Sequence, residues 1–129
     1  MDAPAVAVSR DGRKVAAAWM DERSGRNDRQ VYWTQASAGA FRKESLLPDD
    51  PKGLKGHPSI AMDSGGDFHA AWEDMRSGVM RIRYRSTDGK DVALSPEKGK
   101  ASFPSLACGK VFGVAFEYGG DAAFVAVIE

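Results

Sequence analysis

The chain is poor in the residues that most often carry chemistry. Cys108 is the single cysteine, so an internal disulfide and any multi-cysteine zinc site are excluded. Two histidines, His57 and His69, are too few and too far apart in sequence to build a His-rich site unaided. No apolar run nears the roughly 20 residues of a membrane span. No charge of one sign dominates: 18 basic residues face 18 acidic ones, so no global field draws the chain to nucleic acid or an anionic membrane. No signal peptide is visible after Met1; a periplasmic or extracellular setting follows if one was removed, and a cytoplasmic one otherwise. Helical periodicity is missing too, because apolar residues do not recur at i, i+3 and i+4 over any long window.

What is present is repetition. Pro4-Ala5-Val6-Ala7-Val8 leads through a polar turn to Val15–Met20 and Asp21-Glu22-Arg23-Ser24-Gly25. Pro58-Ser59-Ile60-Ala61-Met62 leads through another to Phe68–Glu73 and Asp74-Met75-Arg76-Ser77-Gly78. The shared core is W-x-D-x-R-S-G. A weaker third copy opens at Pro104-Ser105-Leu106-Ala107-Cys108 and runs on to Glu117-Tyr118. The prolines stand 54 and then 46 residues apart. Periods of about 40–50 residues with several short strands each suggest propeller blades.

Short apolar or alternating runs broken by Gly, Asp, Asn and Pro predict an all-β chain. Strands are expected near 4–9, 13–21, 30–37 and 43–47, then 58–63, 67–74, 80–87 and 91–95, then 103–108, 110–118 and 121–128. They form one repeat domain over 1–129, with repeats at approximately 1–50, 51–100 and 101–129. The second strand of each repeat is apolar on both faces, which requires cover on both. The third alternates: Met80, Ile82 and Tyr84 point one way, Arg81, Arg83 and Arg85 the other. The arginine stripe is expected to be a solvated strand face or a charge-protected edge rather than an anion grip.

The P-[SA]-[IVL]-A strand, the W-x-D-x-R-S-G strand end and the segment Ser86-Thr87-Asp88-Gly89-Lys90-Asp91-Val92 together resemble the sialidase-like propellers with BNR or Asp-box repeats. The last segment departs from the Asp box, since glycine directly follows the aspartate and Val92 stands where tryptophan is usual. The first repeat, with Gln35-Ala36-Ser37-Ala38-Gly39, has lost the aspartate. The resemblance implies six four-stranded blades. About two and three-quarter blades per chain would make half a ring, and two chains would close it as a homodimer; a fragment of a longer chain is the competing account.

The same resemblance puts Trp19, Asp21, Arg23, Trp72, Asp74 and Arg76 on the face where the family's ligands bind. Tryptophan offers a flat surface to a sugar ring, and aspartate and arginine offer directed hydrogen bonds. A feature present in successive blades also serves to brace each turn. Glu117 and Tyr118 replace the motif in the third repeat and join the candidate ligand-binding residues. The family's nucleophile is a tyrosine–glutamate pair, but adjacent residues on a strand point apart. Its arginine triad and R-I-P segment are not found. The expectation is a module that binds a glycan or a protein ligand, without a recognisable catalytic set, cofactor or metal. The alternative is a glycoside hydrolase completed by another chain or by a missing part of the protein.

Overall fold

The computed structural model describes residues 4–120 and 122–128, the last seven as backbone. It is all-β. Three antiparallel sheets follow one another along the chain. The first holds β1 (Ala5–Val8), β2 (Lys14–Asp21), β3 (Gln30–Ser37) and β4 (Ala40–Phe41), with β5 (Ser45–Leu46) also paired to β3. The second holds β6 (Lys55–Met62), β7 (Phe68–Asp74), β8 (Arg81–Ser86) and β9 (Val92–Ala93) in that order. The third holds β10 (Ala101–Cys108), β11 (Phe112–Tyr118) and β12 (Ala122–Ile128). Among the described residues these sheets do not close a barrel or a ring.

Each expected strand is present, and the departures have local causes. The tip of β3 folds back as β4, where Ala36 pairs with Phe41 across a turn whose Gly39 has a positive φ. β6 and β10 begin at Lys55 and Ala101, before the proline that marks each repeat. Their register slips between Gly56 and Ser59 and between Ser102 and Ser105. At each slip the residue before proline, His57 or Phe103, takes a left-handed conformation, with φ of 45° and 55°. These are β-bulges: the strand continues through them, but the extra residue hides its beginning from a pattern of alternation.

The sheets stack face to face. β6 packs against β1, β2 and β3, and β10 packs against β6, β7 and β8. One apolar cluster joins Ala16, Ala18, Val31 and Trp33 of the first sheet to Ile60, Ala70 and Trp72 of the second. Another joins Ala71 and Ile82 to Leu106, Val114 and Phe116. Alanine on one face lets the next sheet come close enough for a large side chain to lie flat against it. β7 is therefore buried at every position, as its two-sided apolar pattern demands.

The connections are fixed as firmly as the strands. Lys55 N–H donates to the Arg29 carbonyl (3.0 Å), and its counterpart Ala101 N–H donates to the Met80 carbonyl (2.8 Å). The loop before β6 passes so near Met75 that a Cβ on Gly53, whose φ is +79°, would lie 2.7 Å from that residue's backbone. Only glycine fits there.

Candidate functional site

Two ends of the stack gather polar residues: the end where β2 and β7 finish, and the end where the first hairpin of each sheet turns.

At the first end the W-x-D-x-R motif closes on itself. Trp72 Nε1 donates to Asp74 Oδ2 at 3.0 Å. Arg76 donates to Asp74 three times: its backbone N–H (2.9 Å) and Nε (3.0 Å) to Oδ1, and Nη2 (2.7 Å) to Oδ2. Lys55 Nζ adds a buried ion pair to Asp74 at 3.1 Å, both side chains being 0% exposed. Arg76 then reaches Asp91 through Nη1 (3.2 Å) and Nη2 (3.0 Å), and Asp91 also receives Arg83 Nε at 2.8 Å. The first sheet repeats the device. Trp19 Nε1 donates to Asp21 (3.1 Å), Arg23 forks onto the same carboxylate, and Arg23 Nη1 reaches Glu44 at 3.3 Å.

Lys55, Glu44 and Asp91 are the members that sequence reasoning missed. Glu44 and Asp91 each immediately precede a short outer strand paired to the third long strand of the sheet, β5 on β3 and β9 on β8, and their signal in the sequence is only an acid at that place. The clasp thus ties the second strand to the outer edge. Burial alone would raise the Asp74 pKa, but the hydrogen bonds from Arg76 and Trp72 and the charge of Lys55 outweigh it and hold it below the usual value. Burial lowers the Lys55 pKa, and Asp74 restores it only in part. The side-chain fork from Arg23 depresses Asp21.

The site residues expected from the sequence are therefore placed as two separate clasps. Trp72 and Asp74 are buried, with their polar atoms taken by neighbours. Trp19 is half-buried, and Arg23 lies across the Tyr32 ring, 3.9 Å from its centre. In the third sheet Glu117 is exposed, while Tyr118 is half-buried and donates its hydroxyl to the Lys98 carbonyl.

Beside the second clasp, Glu73 lies buried between sheets. Its Oε1 is 2.8 Å from His57 Nδ1, and its Oε2 accepts Phe103 N–H at 2.7 Å. The His57 and Phe103 rings meet edge to face at 4.8 Å. The arginine stripe is not a solvated face. Arg81, Arg83 and Arg85 are partly buried, and they donate to the Ser95 carbonyl, to Asp91 and to the Leu47, Ser86 and Thr87 carbonyls respectively. Apart from the Ser86 carbonyl at the end of β8, their partners are loop groups that no strand pattern displays.

At the opposite end three equivalent turns meet. Ser9–Arg13 joins β1 to β2, Asp63–Asp67 joins β6 to β7, and Gly109–Val111 joins β10 to β11. Ser64 N–H donates to the Gly109 carbonyl at 3.3 Å, linking two of these turns. Asp63 organises the second turn by accepting Gly65 and Asp67 N–H, and its Oδ2 lies 2.7 Å from His69 Nε2. His69 in turn meets the Tyr84 hydroxyl at 2.6 Å. Burial, with the charge of Asp63, pushes the Tyr84 pKa up to about 12. Burial pushes that of Cys108 to about 11, so it stays a thiol. The turns border an open cavity of about 650 Å³ with Val8 and Met62 in its wall and Arg10, Asp11, Lys14 and Asp63 around it. No cluster of ligating side chains suited to a metal occurs among the described residues.

No protein-family model matches the chain, and no curated protein matches its sequence.

Proposed function

We propose that the three sheets are consecutive blades of a sialidase-like propeller and that the chain is a glycan-binding module. The observation that carries this reading is the convergence of the three first-hairpin turns on one cavity. Its volume falls within the roughly 300–1,000 Å³ of small-molecule sites. Its wall pairs apolar surface from Val8 and Met62 with charged groups of both signs. A sugar needs that combination: carboxylate and cationic partners for its hydroxyls, and an apolar patch for its C–H face. The stacking of sheets in chain order, each with its first strand against the next, supports the blade reading. In this reading the W-x-D-x-R clasps brace the blades, and Arg23 and Trp19 offer secondary contacts at the other end.

A glycan array probed with the labelled chain tests the reading. Binding is expected, with Lys14→Glu weakening the best hit by about tenfold, the effect of losing one charge-assisted hydrogen bond. An array without hits, or a hit indifferent to Lys14 and Arg10, ends it. Turnover of a fluorogenic glycoside would replace it by the hydrolase reading.

A further inference from the structure

The contact between consecutive sheets has a recurring form. On the first two strands of each sheet the side facing the next sheet carries small residues: Ala5, Ala7, Ala16 and Ala18 in the first, Ala61 and Ala71 in the second. The side facing the previous sheet carries large ones: Ile60 and Trp72 in the second, Leu106 and Phe116 in the third. Directed bonds accompany the packing. His57 N–H lies 3.3 Å from Met20 Sδ, and Phe103 N–H lies 2.7 Å from Glu73 Oε2. Met20 and Glu73 occupy the same place, between the tryptophan and the aspartate of the motif. Leu106 N–H donates to Ser59 Oγ at 2.9 Å.

The two outer sides of the stack are the two halves of this contact. On the first sheet Val6 and Val8, counterparts of Ile60 and Met62, are 65% and 54% exposed, whereas Ile60 and Leu106 are each 8% exposed. Trp19 shares that side and is half-buried, whereas its counterpart Trp72 is fully buried. On the outer side of the third sheet the exposed residues are Ser105, Ala107 and Glu117. Ser105 is the counterpart of Ser59, Ala107 of Ala61, and Glu117 of Glu73. The chain thus bears a large-residue side and a small-residue side that are complementary by the rule its own interior follows twice.

We propose that a second copy of this chain docks its first sheet onto the third sheet here, and that the reciprocal contact closes the pair about a two-fold axis. Val6 of each copy takes the place that Leu106 holds on the second sheet, with its N–H donated to Ser105 Oγ of the other. Glu117, the counterpart of Glu73, supplies the carboxylate on the third sheet's side of the contact. Closure uses both outer sides and leaves neither exposed. The proposal rests on the blade reading and not on the glycan.

Sedimentation velocity at micromolar concentration tests it, with circular dichroism as the check on folding. A dimer is expected. Val6→Asp and Glu117→Lys, both at exposed positions, should keep the β spectrum. Each dimer holds the contact twice, so each variant should raise the dissociation constant roughly 100-fold, tenfold per contact. Glu117→Gln keeps an acceptor oxygen and should remain dimeric. A monomeric parent chain, a dimer indifferent to both disruptive variants, or open-ended growth into larger species would each overturn the proposal. None of these would bear on glycan binding, which the array reads independently.

Discussion

The clasps on Trp19 and Trp72 share one motif and one hydrogen-bond pattern, yet they live in different surroundings. Around Trp72 the ring is 0% exposed, and Asp74 also carries the buried Lys55 ammonium. Around Trp19 the ring is half-buried, the Arg23 side chain is 45% exposed, and no lysine pairs with Asp21 among the described residues. Burial is therefore not written in W-x-D-x-R-S-G. It is conferred by a sheet on either side, which the second sheet has and the first lacks. Geometry is local and energy is not: the same bonds stabilise more where water is excluded.

The comparison breaks most sharply at the tryptophans. Trp72→Ala removes a wholly enclosed ring and should cost about 3–5 kcal/mol in a urea titration. Trp19→Ala should cost clearly less at low protein concentration. If the outer side is covered by a second copy, the gap between the two variants should narrow as concentration rises. Equal losses at every concentration would mean that the two environments do not differ as described.

Asp74→Asn comes next. It leaves Lys55 and Arg76 without their shared anion, and breaking a buried pair in this way costs about 3–5 kcal/mol. Asp21→Asn acts at a more open clasp and should shift the midpoint far less. A reversed order would mean that Lys55 does not depend on Asp74.

The acid limb of stability sharpens the same contrast. Asp74, Asp91, Asp21 and Asp63 all have lowered pKa values in the fold. A depressed carboxyl stabilises the fold above its unfolded value of about 3.9 and loses that contribution as the pH falls through its folded value. Stability should therefore fall steeply below about pH 4, and Asp74→Asn should flatten that fall. Lys55 has the complementary sign. Its lowered pKa means that the folded state holds its proton less firmly than the unfolded chain does. In Asp74→Asn, stability should therefore rise as alkali removes that proton. A flat alkaline limb in the variant would refute the unpaired lysine.

The smallest difference lies at the outer acids. Asp91 joins Arg76 and Arg83, and its carboxylate also accepts the Asp49 N–H while its own N–H donates to the Asp49 carboxylate, so Asp91→Asn should cost about 1–3 kcal/mol. Glu44 stands in the open beside Arg23, and Glu44→Gln should leave the melting temperature unchanged within error.

Much of this architecture was legible in the sequence. Alternation, turn residues and the repeated proline located the strands, because a strand exposed on one face must alternate and a hairpin must turn on Gly, Asp or Asn. The tryptophan, aspartate and arginine were visible as a unit because three side chains on one strand end are close in sequence. Glu44, Asp91, Lys55 and Glu73 were not singled out as partners. Each meets its partner across strands or sheets, and pairing at that range leaves no mark on local spacing. The arginine stripe misled for the same reason: alternation gives the face of a strand, and loops that come from elsewhere decide whether that face is wet. The cavity at the hairpin end was equally hidden, since turns 9–13, 63–67 and 109–111 meet only when three sheets are stacked.

The bulged residues before proline bear on how these sheets meet neighbours they should avoid. β6 and β10 are edge strands, and an edge strand presents a ladder of unpaired backbone groups that invites a foreign strand. At His57-Pro58 and Phe103-Pro104 that ladder is interrupted twice over: a left-handed residue bends it, and a proline removes one donor. A strand from another molecule could not stay in register past either point. Because proline lacks an N–H, β6 and β10 each resist edge-to-edge aggregation part-way along their length, while their faces stay flat enough to stack. The proline that marks the repeat in the sequence is thus also its safeguard against fibril-like growth.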